Sequence, residues 1–350
     1  MRQIDYVQAF PQAELKEQVF MEMPKGFSTG DGKTREKYVL KLNRNLYGLR
    51  QAAANWFQVL SKGLIKRGFK QSLIDPCLFI KDDCICVIYV DDTIFFSKDN
   101  SSIEKVVDSL RKEFVLTDEG DVDAFLGIKV NHDETTKTIE LTQPGLIDNV
   151  ISDLGLENDE DKVYTACDDR AKPFQITNDE HSLPRETTWN YRSAIGKLNY
   201  IAGNTRPEIS FAVHQCARFT HNPMKRHEDA VIRIVKYLKG TRKRGYFMKV
   251  DSSLSALETY VDADFVGNWN PKDAHIPISV ASRTGYVIRY YGVPVHWVSK
   301  LQSEISLSTT EAEYIALSTA MRDLLPMMTM LKELKDALQL PETTYKCHGC

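Results

Sequence analysis

The sequence predicts an α+β protein of two or three domains, because strand-like and helix-like segments occupy different regions of the chain. β-favouring runs dominate residues 1 to about 130, helical periodicity dominates about 189–238, and acid-bearing strands with one long helix follow from about 257. The length of 350 residues exceeds the size of about 250–300 residues at which a single hydrophobic core stops growing.

Composition excludes several classes of protein. A hydrophobic content of 42% and a charged content of 27% are ordinary for a globular chain. No apolar run approaches the length of about 18 residues that a membrane span needs, and the first ten residues hold no apolar signal core. The seven cysteines are scattered without a disulfide-scaffold pattern, which favours a reducing, intracellular compartment.

The first region, 1–130, is predicted to be mainly a sheet with two helices near 52–67 and 101–114. The stretch "KDDC" lies between two apolar runs and predicts a tight turn that pairs 77–80 with 84–90. A second β-like run, "QIDYVQAF", lies at the start of the chain.

The second region, 131–250, is predicted to be mostly helical. "TQPGLIDNVISDLGL" has apolar residues on one helical face, and helices follow at about 189–203, 207–219 and 224–238. Between them, 157–188 is polar, acidic and unpatterned, so we expect an irregular connection. The third region, 255–350, begins with the strand "LETYVDADFVGN", continues with "GYVIRYYG" and "VPVHWVSK", and then has a long helix over about 308–338.

A basic stripe lies on the last helix of the second region and its exit. It consists of Lys225, Arg226, Arg233, Lys236, Lys239, Arg242, Lys243 and Arg244. The net charge of −3 gives no global sign of nucleic-acid binding, but a local stripe of this kind could face phosphates. A solvated face of an amphipathic helix is an equally good interpretation.

Two adjacent acids interrupt the apolar stretch "CICVIYVDDTIFFS". Six apolar or β-favouring residues precede Asp91 and Asp92, and the apolar residues Ile94–Phe96 follow after one intervening residue. Burial of an ionised carboxylate is costly unless something compensates it. A solvated surface turn is the alternative, but the apolar flanks favour burial up to the acids, and a divalent cation such as Mg²⁺ would offset the cost.

A third carboxylate for such a site is expected from a neighbouring strand. Asp5 interrupts the β-like run "QIDYVQAF". Three carboxylates on two adjoining strands can hold two metal ions about 3.5–4 Å apart, which is the arrangement that serves in-line phosphoryl transfer.

These acids lie in stretches that resemble the reverse transcriptase and ribonuclease H portion of copia-type (pseudoviral) retrotransposon polyproteins. The matching stretches run in the family's order and cover nearly the whole chain. They are "QIDYVQAF", "VFMEMPKGF", "LKLNRNLYGLRQAAANWF", "DPCLFI", "IYVDDTIFF", "AFLGIKV", "YRSAIGKLNYIAGNTRPEISFAV", "ARFTHNPMKRHEDAVIRIVKYLKGT", "YVDADFVGN" and "LSTTEAEYIALS".

The resemblance implies a fold and an activity. The fold would be a right-hand polymerase palm, built from an antiparallel sheet with helices, then a helical thumb or connection and a truncated ribonuclease H-like α/β domain. The activity would be RNA-directed DNA polymerisation with hydrolysis of RNA in RNA–DNA hybrids. It implies two Mg²⁺ or Mn²⁺ ions per site, an RNA template, a DNA primer, deoxynucleoside triphosphates, no membrane partner, and a cytoplasmic particle or the nucleus as location.

The resemblance also implies roles for residues of the first region. Asp5, Asp91 and Asp92 would be the catalytic, metal-binding carboxylates, and Tyr89 would lie beneath the primer terminus. Phe10 would exclude a 2′-hydroxyl and so select deoxynucleotides. Three further residues would position the template and the incoming nucleotide: Gly48, Arg50 and Gln51. Three would form a primer grip, for which core packing is the alternative role: Phe125, Leu126 and Gly127.

In the third region the resemblance assigns Asp262 and Glu311 as catalytic metal ligands of a nuclease site. Asp264 shares a strand face with Asp262. Glu313 is the alternative to Glu311, but two positions along a helix turn a side chain by about 200°, so both cannot serve. The competing interpretation of Glu311 is a helix-start acid that follows a cap at Ser308 or Thr309.

The two ends depart from the family pattern. The chain begins four residues before Asp5, without the basic fingers segment that the family places upstream. It stops at "TYKCHGC", before the further Asp that the nuclease would need. The sequence therefore suggests a fragment whose polymerase and nuclease activities are in doubt, with a non-catalytic nucleic-acid-binding relic as the alternative and an unrelated phosphoryl-transfer enzyme as a remote one.

Overall fold

The computed structural model describes residues 1–26, 38–167, 183–267, 269, 271, 276–339 and 345–349. The chain forms two compact units, Met1–Val122 with Thr329–Pro341 and Asp123–Met328 with Glu342–Cys350. Both units combine helices with sheets, as the α+β prediction requires. Part of the predicted irregular connection, 168–182, lies outside the described residues.

The first unit is built on a six-stranded antiparallel sheet in the order β4-β5-β6-β7-β1-β8, beside a separate two-stranded ribbon, β2-β3. Its elements are β1 (Arg2–Tyr6), α1 (Ala9–Gln12), β2 (Glu14–Glu22), β3 (Val39–Arg44), α2 (Ala52–Lys66), β4 (Lys70–Gln71), β5 (Leu78–Lys81), β6 (Cys84–Tyr89), β7 (Asp92–Ser97), α3 (Asn100–Arg111) and β8 (Leu116–Gly120). The predicted pairing across "KDDC" is confirmed, since β5 and β6 form a hairpin.

Helices α2 and α3 form the core of the first unit with the sheet, because each has one apolar stripe. The buried residues of α2 recur every fourth position, at Trp56, Leu60 and Leu64, and those of α3 include Ile103 and Leu110. Complete burial of each large apolar side chain stabilises the fold by about 1.5–3 kcal/mol. The packing of α2 and α3 thereby supports the sheet that carries the predicted acids.

The second unit contains a four-stranded antiparallel sheet in the order β12-β11-β10-β9 and a group of four helices. The elements of this part are β9 (Ala124–Phe125), β10 (Ile128–Asp133), β11 (Thr138–Thr142), α4 (Pro144–Asp153), α5 (Tyr191–Asn204), a short 3₁₀ helix (Pro207–Ile209), α6 (Ser210–Ala217), α7 (Lys225–Gly240) and β12 (Tyr246–Met248). The helices enclose one apolar core that includes Ile147, Leu198, Val213 and Ile234.

A further sheet of the second unit has the order β15-β14-β13-β16, in which β16 runs parallel to β13. The elements of this part are β13 (Leu257–Asp264), a 3₁₀ helix (Pro277–Val280), β14 (Arg283–Tyr290), β15 (Val293–Leu301), the long helix α8 (Thr309–Leu338) and β16 (Tyr345–Gly349). The part of α8 from Thr329 onward belongs to the first unit. The buried positions Ala312, Ala316 and Ala320 follow one face of α8, where small side chains permit close packing.

Candidate active site

A two-residue turn joins β6 and β7; it contains Asp91, and Asp92 is the first residue of β7. Tyr89 pairs with Asp92 across the strands, so Val90 and Asp91 form the turn itself. Val90 has a φ of 58°, a left-handed conformation that β-branched residues seldom adopt. Such a residue costs about 1–3 kcal/mol and persists only where its surroundings hold it.

Two hydrogen bonds hold this turn. The indole N–H of Trp56 on α2 donates to the carbonyl oxygen of Val90 at 2.6 Å, and the backbone N–H of Tyr6 donates to the carbonyl oxygen of Asp91 at 3.2 Å. Trp56 is only 1% exposed. Trp56 was not predicted from the sequence, although a buried tryptophan usually finds an acceptor for its N–H.

Asp5 and Asp92 lie directly opposite each other on the neighbouring strands β1 and β7. Because the next pair, Tyr6 and Asp91, is hydrogen-bonded, Asp5 and Asp92 form a non-hydrogen-bonded pair, in which side chains on one face approach most closely. Gln3 is on the same face and its Nε2 lies 3.5 Å from Asp92 Oδ1. The structure therefore sets Asp5 opposite Asp92, with Asp91 next to Asp92 in the turn.

Burial and neighbouring negative charges destabilise the charged forms of Asp5 and Asp92. The pKa of Asp5 is raised by burial first, then by the charges of Asp91 and Glu119. The pKa of Asp92 is raised by burial first, then by Asp91 and Asp5. Glu119 on β8 is a fourth acid near the site, and it was not predicted from the sequence.

Carboxylates are the ligands that hard divalent cations prefer, and a cation would relieve the repulsion among these three. The donor set fits such an ion in chemical type and in charge. In the part of the chain that the structure describes, however, no three His, Cys, Asp or Glu side chains are arranged closely enough to hold a metal ion together.

Aromatic rings lie beside the acids. The ring of Phe10 packs on that of Tyr47 with centroids 4.5 Å apart, and Tyr47 is 57% exposed. The pKa of Tyr47 is raised by burial first and then by the charges of Asp91 and Asp5, which places its ring within the field of the acids. Tyr47 is another residue of the site that was not predicted from the sequence.

The remaining predicted positions of the first unit lie on its surface. Tyr89 is 55% exposed at the start of the turn. Gly48 has a φ of 95°, which a side chain would strain, and Arg50 beside it is exposed. Gln51 immediately precedes α2, and its carbonyl oxygen accepts a hydrogen bond from the N–H of Asn55.

The residues predicted as a primer grip belong to the second unit. Phe125 pairs with Ile128, so Leu126 and Gly127 form a two-residue turn, with φ values of 51° and 75°. Two positive φ angles are typical of the tightest hairpin turns. The carbonyl oxygen of Leu126 accepts a hydrogen bond from Tyr200 Oη at 2.6 Å. Their role at a primer stays a prediction.

The predicted nuclease residues are arranged differently from the expectation. Asp262 is exposed on β13, but Glu311 caps the start of α8, where its Oε2 accepts from the N–H of Leu307 at 2.7 Å and its own N–H donates to Ser308 Oγ at 3.1 Å. Glu313 Oε1 accepts from the N–H of Ala263 at 3.3 Å. The acid that meets the strand of Asp262 is thus Glu313, because Glu311 occupies the third helical position, which favours capping.

The basic stripe on α7 is largely engaged within the second unit. Lys236 Nζ lies 2.8 Å from Asp159 and 2.5 Å from Asp161, and Arg242 forms a two-pronged pair with Asp148. Lys239 Nζ donates to the carbonyl oxygens of residues 156, 157 and 159. Neither interpretation of the stripe, a phosphate-facing surface or a solvated face, describes these contacts, which give the three cations a structural role.

Comparison with known proteins adds three findings. The profile of a family described as reverse transcriptase (RNA-dependent DNA polymerase) matches residues 1–167. The retrovirus-related Pol polyprotein from transposon TNT 1-94 of Nicotiana tabacum is 32% identical over 344 residues, which cover 95% of this chain and 25% of that protein. The corresponding polyprotein from transposon RE1 of Arabidopsis thaliana is 32% identical over 349 residues, or 99% of this chain and 22% of that protein.

The chain thus spans about a quarter of the length of these relatives. Among solved structures, the foamy viral protease-reverse transcriptase in complex with double-stranded DNA has a TM-score of 0.50 and 14% sequence identity, and the match covers 99% of this chain and 56% of that one. This likeness concerns the fold alone. No helix within the described ranges has the length and apolarity of a membrane span.

Proposed function

The chain belongs to the reverse transcriptase family of copia-type transposon Pol polyproteins, and from this premise we propose that it carries the catalytic palm of an RNA-directed DNA polymerase. Members of this family generally use divalent metal ions. The proposed reaction is two-metal nucleotidyl transfer from deoxynucleoside triphosphates to a DNA primer on an RNA template.

One observation carries the proposal. Asp5 and Asp92 lie opposite each other on adjacent strands, with Asp91 beside them in a turn that Trp56 and Tyr6 hold. A merely solvated turn would need neither a strained valine nor a buried tryptophan at its carbonyl. Asp5 and Asp92 are thereby held side by side, and the pKa of each is raised by burial first and then by the charge of Asp91.

Asp5, Asp91 and Asp92 would hold the ions. When bound, Mg²⁺ or Mn²⁺ would neutralise these carboxylates, polarise a phosphoryl oxygen and favour deprotonation of an attacking hydroxyl. The packed rings of Phe10 and Tyr47, which are tilted by 39° to each other, would then lie beside the incoming nucleotide, and the flat face of Phe10 would exclude a 2′-hydroxyl.

The remaining predicted residues of the polymerase site keep the roles that the resemblance to copia-type polyproteins implies. Gly48, Arg50 and Gln51 would contact the template and the nucleotide, and Tyr89 would support the primer end. Phe125, Leu126 and Gly127 would contact the primer from the tight turn that they form.

Primer extension on an RNA template with Mg²⁺ tests the proposal. We expect incorporation by the unmodified chain and a loss of about 10²–10³-fold in Asp91→Asn, because an electrostatic group that acts on the transition state is removed. Asp83→Asn is the matched control, since Asp83 is an exposed acid at the opposite end of strand β6. Equal incorporation by the unmodified chain and Asp91→Asn would reject catalysis at this hairpin.

We propose a second activity, hydrolysis of RNA in RNA–DNA hybrids, for the sheet that carries Asp262. The contact between Glu313 and β13 favours Glu313 as the partner of Asp262 in place of Glu311. Cleavage of a labelled hybrid should fall strongly in Asp262→Asn and Glu313→Gln. In Glu311→Gln we expect a small loss of stability with cleavage retained. Loss of cleavage in Glu311→Gln, with cleavage retained in Glu313→Gln, would restore the assignment of Glu311.

The alternative of a non-catalytic nucleic-acid-binding relic depended on the basic helix. Because Lys236, Lys239 and Arg242 are engaged in contacts within their own unit, that helix now gives the alternative little support. Salt-dependent binding of a hybrid without any metal-dependent incorporation would favour it again.

A further inference from the structure

Arg283, the first residue of β14, has a buried guanidinium group without a matching anion. The residue is 5% exposed, and its Nε and Nη2 atoms have no hydrogen-bond partner. Only Nη1 is engaged, at 3.2 Å from His214 Nδ1 and 3.3 Å from Ser299 Oγ. Both of these acceptors are neutral groups, so no ion pair compensates the positive charge.

The carboxylate that could pair with Arg283 faces elsewhere. Asp264 lies directly opposite Arg283 on β13, but no ion pair joins them, and none joins Arg283 to any other acid in the described ranges. The Asp264 carboxylate is instead turned toward Gly267. It lies so close that a Cβ atom added to Gly267 would be 1.8 Å from Asp264 Oδ2. A buried charge left without a partner is strongly destabilising.

A second guanidinium group adds to the positive charge. Arg218, which follows α6, has an Nε without a partner, while its Nη1 donates to Gln215 Oε1 at 3.0 Å. Burial first, and then the charges of Arg283, Arg218 and Lys300, lower the pKa of His214 to about 4. His214 is therefore neutral at pH 7, and its Nδ1 can accept from Arg283.

We propose that Arg283 and Arg218 form a binding site for a phosphate group, supplied by the backbone of a nucleic-acid strand that lies along the face of β13 with Asp262 and Asp264. Guanidinium groups bind phosphate oxygens through paired N–H donors, and the unpaired Nε and Nη2 of Arg283 are such a pair. The identity of the strand rests on the proposed nuclease function, whereas the phosphate site itself does not.

The ring of Phe211 lies over the proposed site. It covers one face of the Arg283 guanidinium at 4.8 Å, and Phe211 is 40% exposed. Because the Nε and Nη2 atoms of Arg283 are closed to water and Phe211 covers one face of the group, we expect an anion to reach them more readily when this ring is removed. Phe211→Ala should therefore tighten phosphate binding without loss of the fold.

Thermal unfolding of the full chain in potassium phosphate, against potassium chloride at equal ionic strength, tests the site. We expect phosphate to raise the Tm of the unmodified chain by several degrees and to leave Arg283→Met unchanged. Arg283→Met should also unfold at a higher temperature than the unmodified chain in chloride, because it removes an uncompensated charge. Arg289→Met, which alters an arginine further along the same strand β14, is the matched control and should keep the phosphate response.

Oligonucleotides distinguish a strand from free phosphate. A short RNA–DNA hybrid should compete with inorganic phosphate in the unmodified chain, and a neutral methylphosphonate analogue of the same sequence should not. If Arg283→Met keeps the phosphate response, or if Asp264→Asn destabilises the chain as removal of an ion pair would, the proposal is overturned. Phosphate binding with no hybrid cleavage in any variant would retain the site and reject only the nuclease function.

Discussion

At the scale of single residues, the acids near the hairpin decide the chemistry. Asp5 and Asp92 were proposed from sequence because each interrupts an apolar run, and the register of β1 on β7 sets them opposite each other. The cross-strand pairing also makes them repel, which is unfavourable in any protein whose only requirement is stability. This repulsion has a measurable dependence on pH and on divalent cations.

We predict that Asp5→Asn is more stable than the unmodified chain at pH 7 without divalent cations, by about 0.2–1 kcal/mol. The folded-state pKa of Asp5 is raised above its ordinary value of 3.8, so its ionised form destabilises the fold above that folded-state pKa. The advantage of Asp5→Asn should disappear as the pH falls through the raised pKa to below 3.8, and denaturant titrations at several pH values measure it.

Mg²⁺ should stabilise the unmodified chain more than Asp5→Asn, since a bound cation removes the repulsion. Asp83→Asn provides the comparison for general effects of pH and salt. Identical pH profiles for Asp5→Asn and Asp83→Asn would mean that the acids at the hairpin do not interact.

Trp56 is predicted to position the turn. In Trp56→Phe the carbonyl of Val90 loses its donor, so we expect a decrease of about 1–3 kcal/mol in stability. The kcat of primer extension should fall by about 10–100-fold through misplacement of Asp91, with little change in the KM for the nucleotide.

Trp297→Phe is the matched control for that substitution. The indole of Trp297 also donates to a backbone carbonyl, that of Ala202 at 2.8 Å, but it lies in the second unit. Equal decreases of kcat in the two variants would assign Trp56 a purely structural role.

At the scale of secondary structure, α7 shows that the role of a row of basic residues depends on the segments packed against it. Eight basic residues in and after one helix could equally have faced nucleic acid or solvent. The segment that follows α4 contributes acids and backbone carbonyl groups, and the cations of α7 bind these groups and hold the segment in place. Lys239, with three carbonyl acceptors, is central to this arrangement.

We predict that Lys239→Met lowers the free energy of unfolding by about 1–3 kcal/mol, since three carbonyl groups lose their donor. The salt dependence of hybrid binding should not change. Removal of one cation that binds a phosphate would reduce the slope of log K against log salt by about 0.9, so a shallower slope would show that Lys239 binds nucleic acid. Lys243→Met, which alters an exposed lysine just beyond α7, should change neither quantity.

At the scale of the whole molecule, two units with separate cores carry the two groups of acids. The core of the first includes Trp56 and Phe95, and that of the second includes Leu198 and Ile234. We therefore predict that the proposed activities can be removed independently. Asp91→Asn should abolish primer extension and retain hybrid cleavage, and Asp262→Asn should do the opposite.

Both assays on one preparation of each variant measure this separation. The double variant should lose both activities while keeping the circular dichroism of the unmodified chain. Loss of both activities in either single variant, with its fold intact, would contradict independent sites.

Apolar periodicity and isolated carboxylates are local signals, so the sequence alone predicted the hairpin at "KDDC", the long helices α2, α7 and α8, and the acids Asp5, Asp91 and Asp92. It did not predict the four-stranded sheet of β9 to β12, most of which lies in a region expected to be mostly helical. Which groups meet depends on the tertiary structure. It placed Trp56 on the carbonyl of Val90, Glu313 rather than Glu311 at β13, acids and carbonyls against the basic helix, and Arg283 opposite Asp264 without an ion pair. The physical reason is that a contact between residues distant in the chain depends on strand register and helix rotation, and a single residue's chemistry specifies neither.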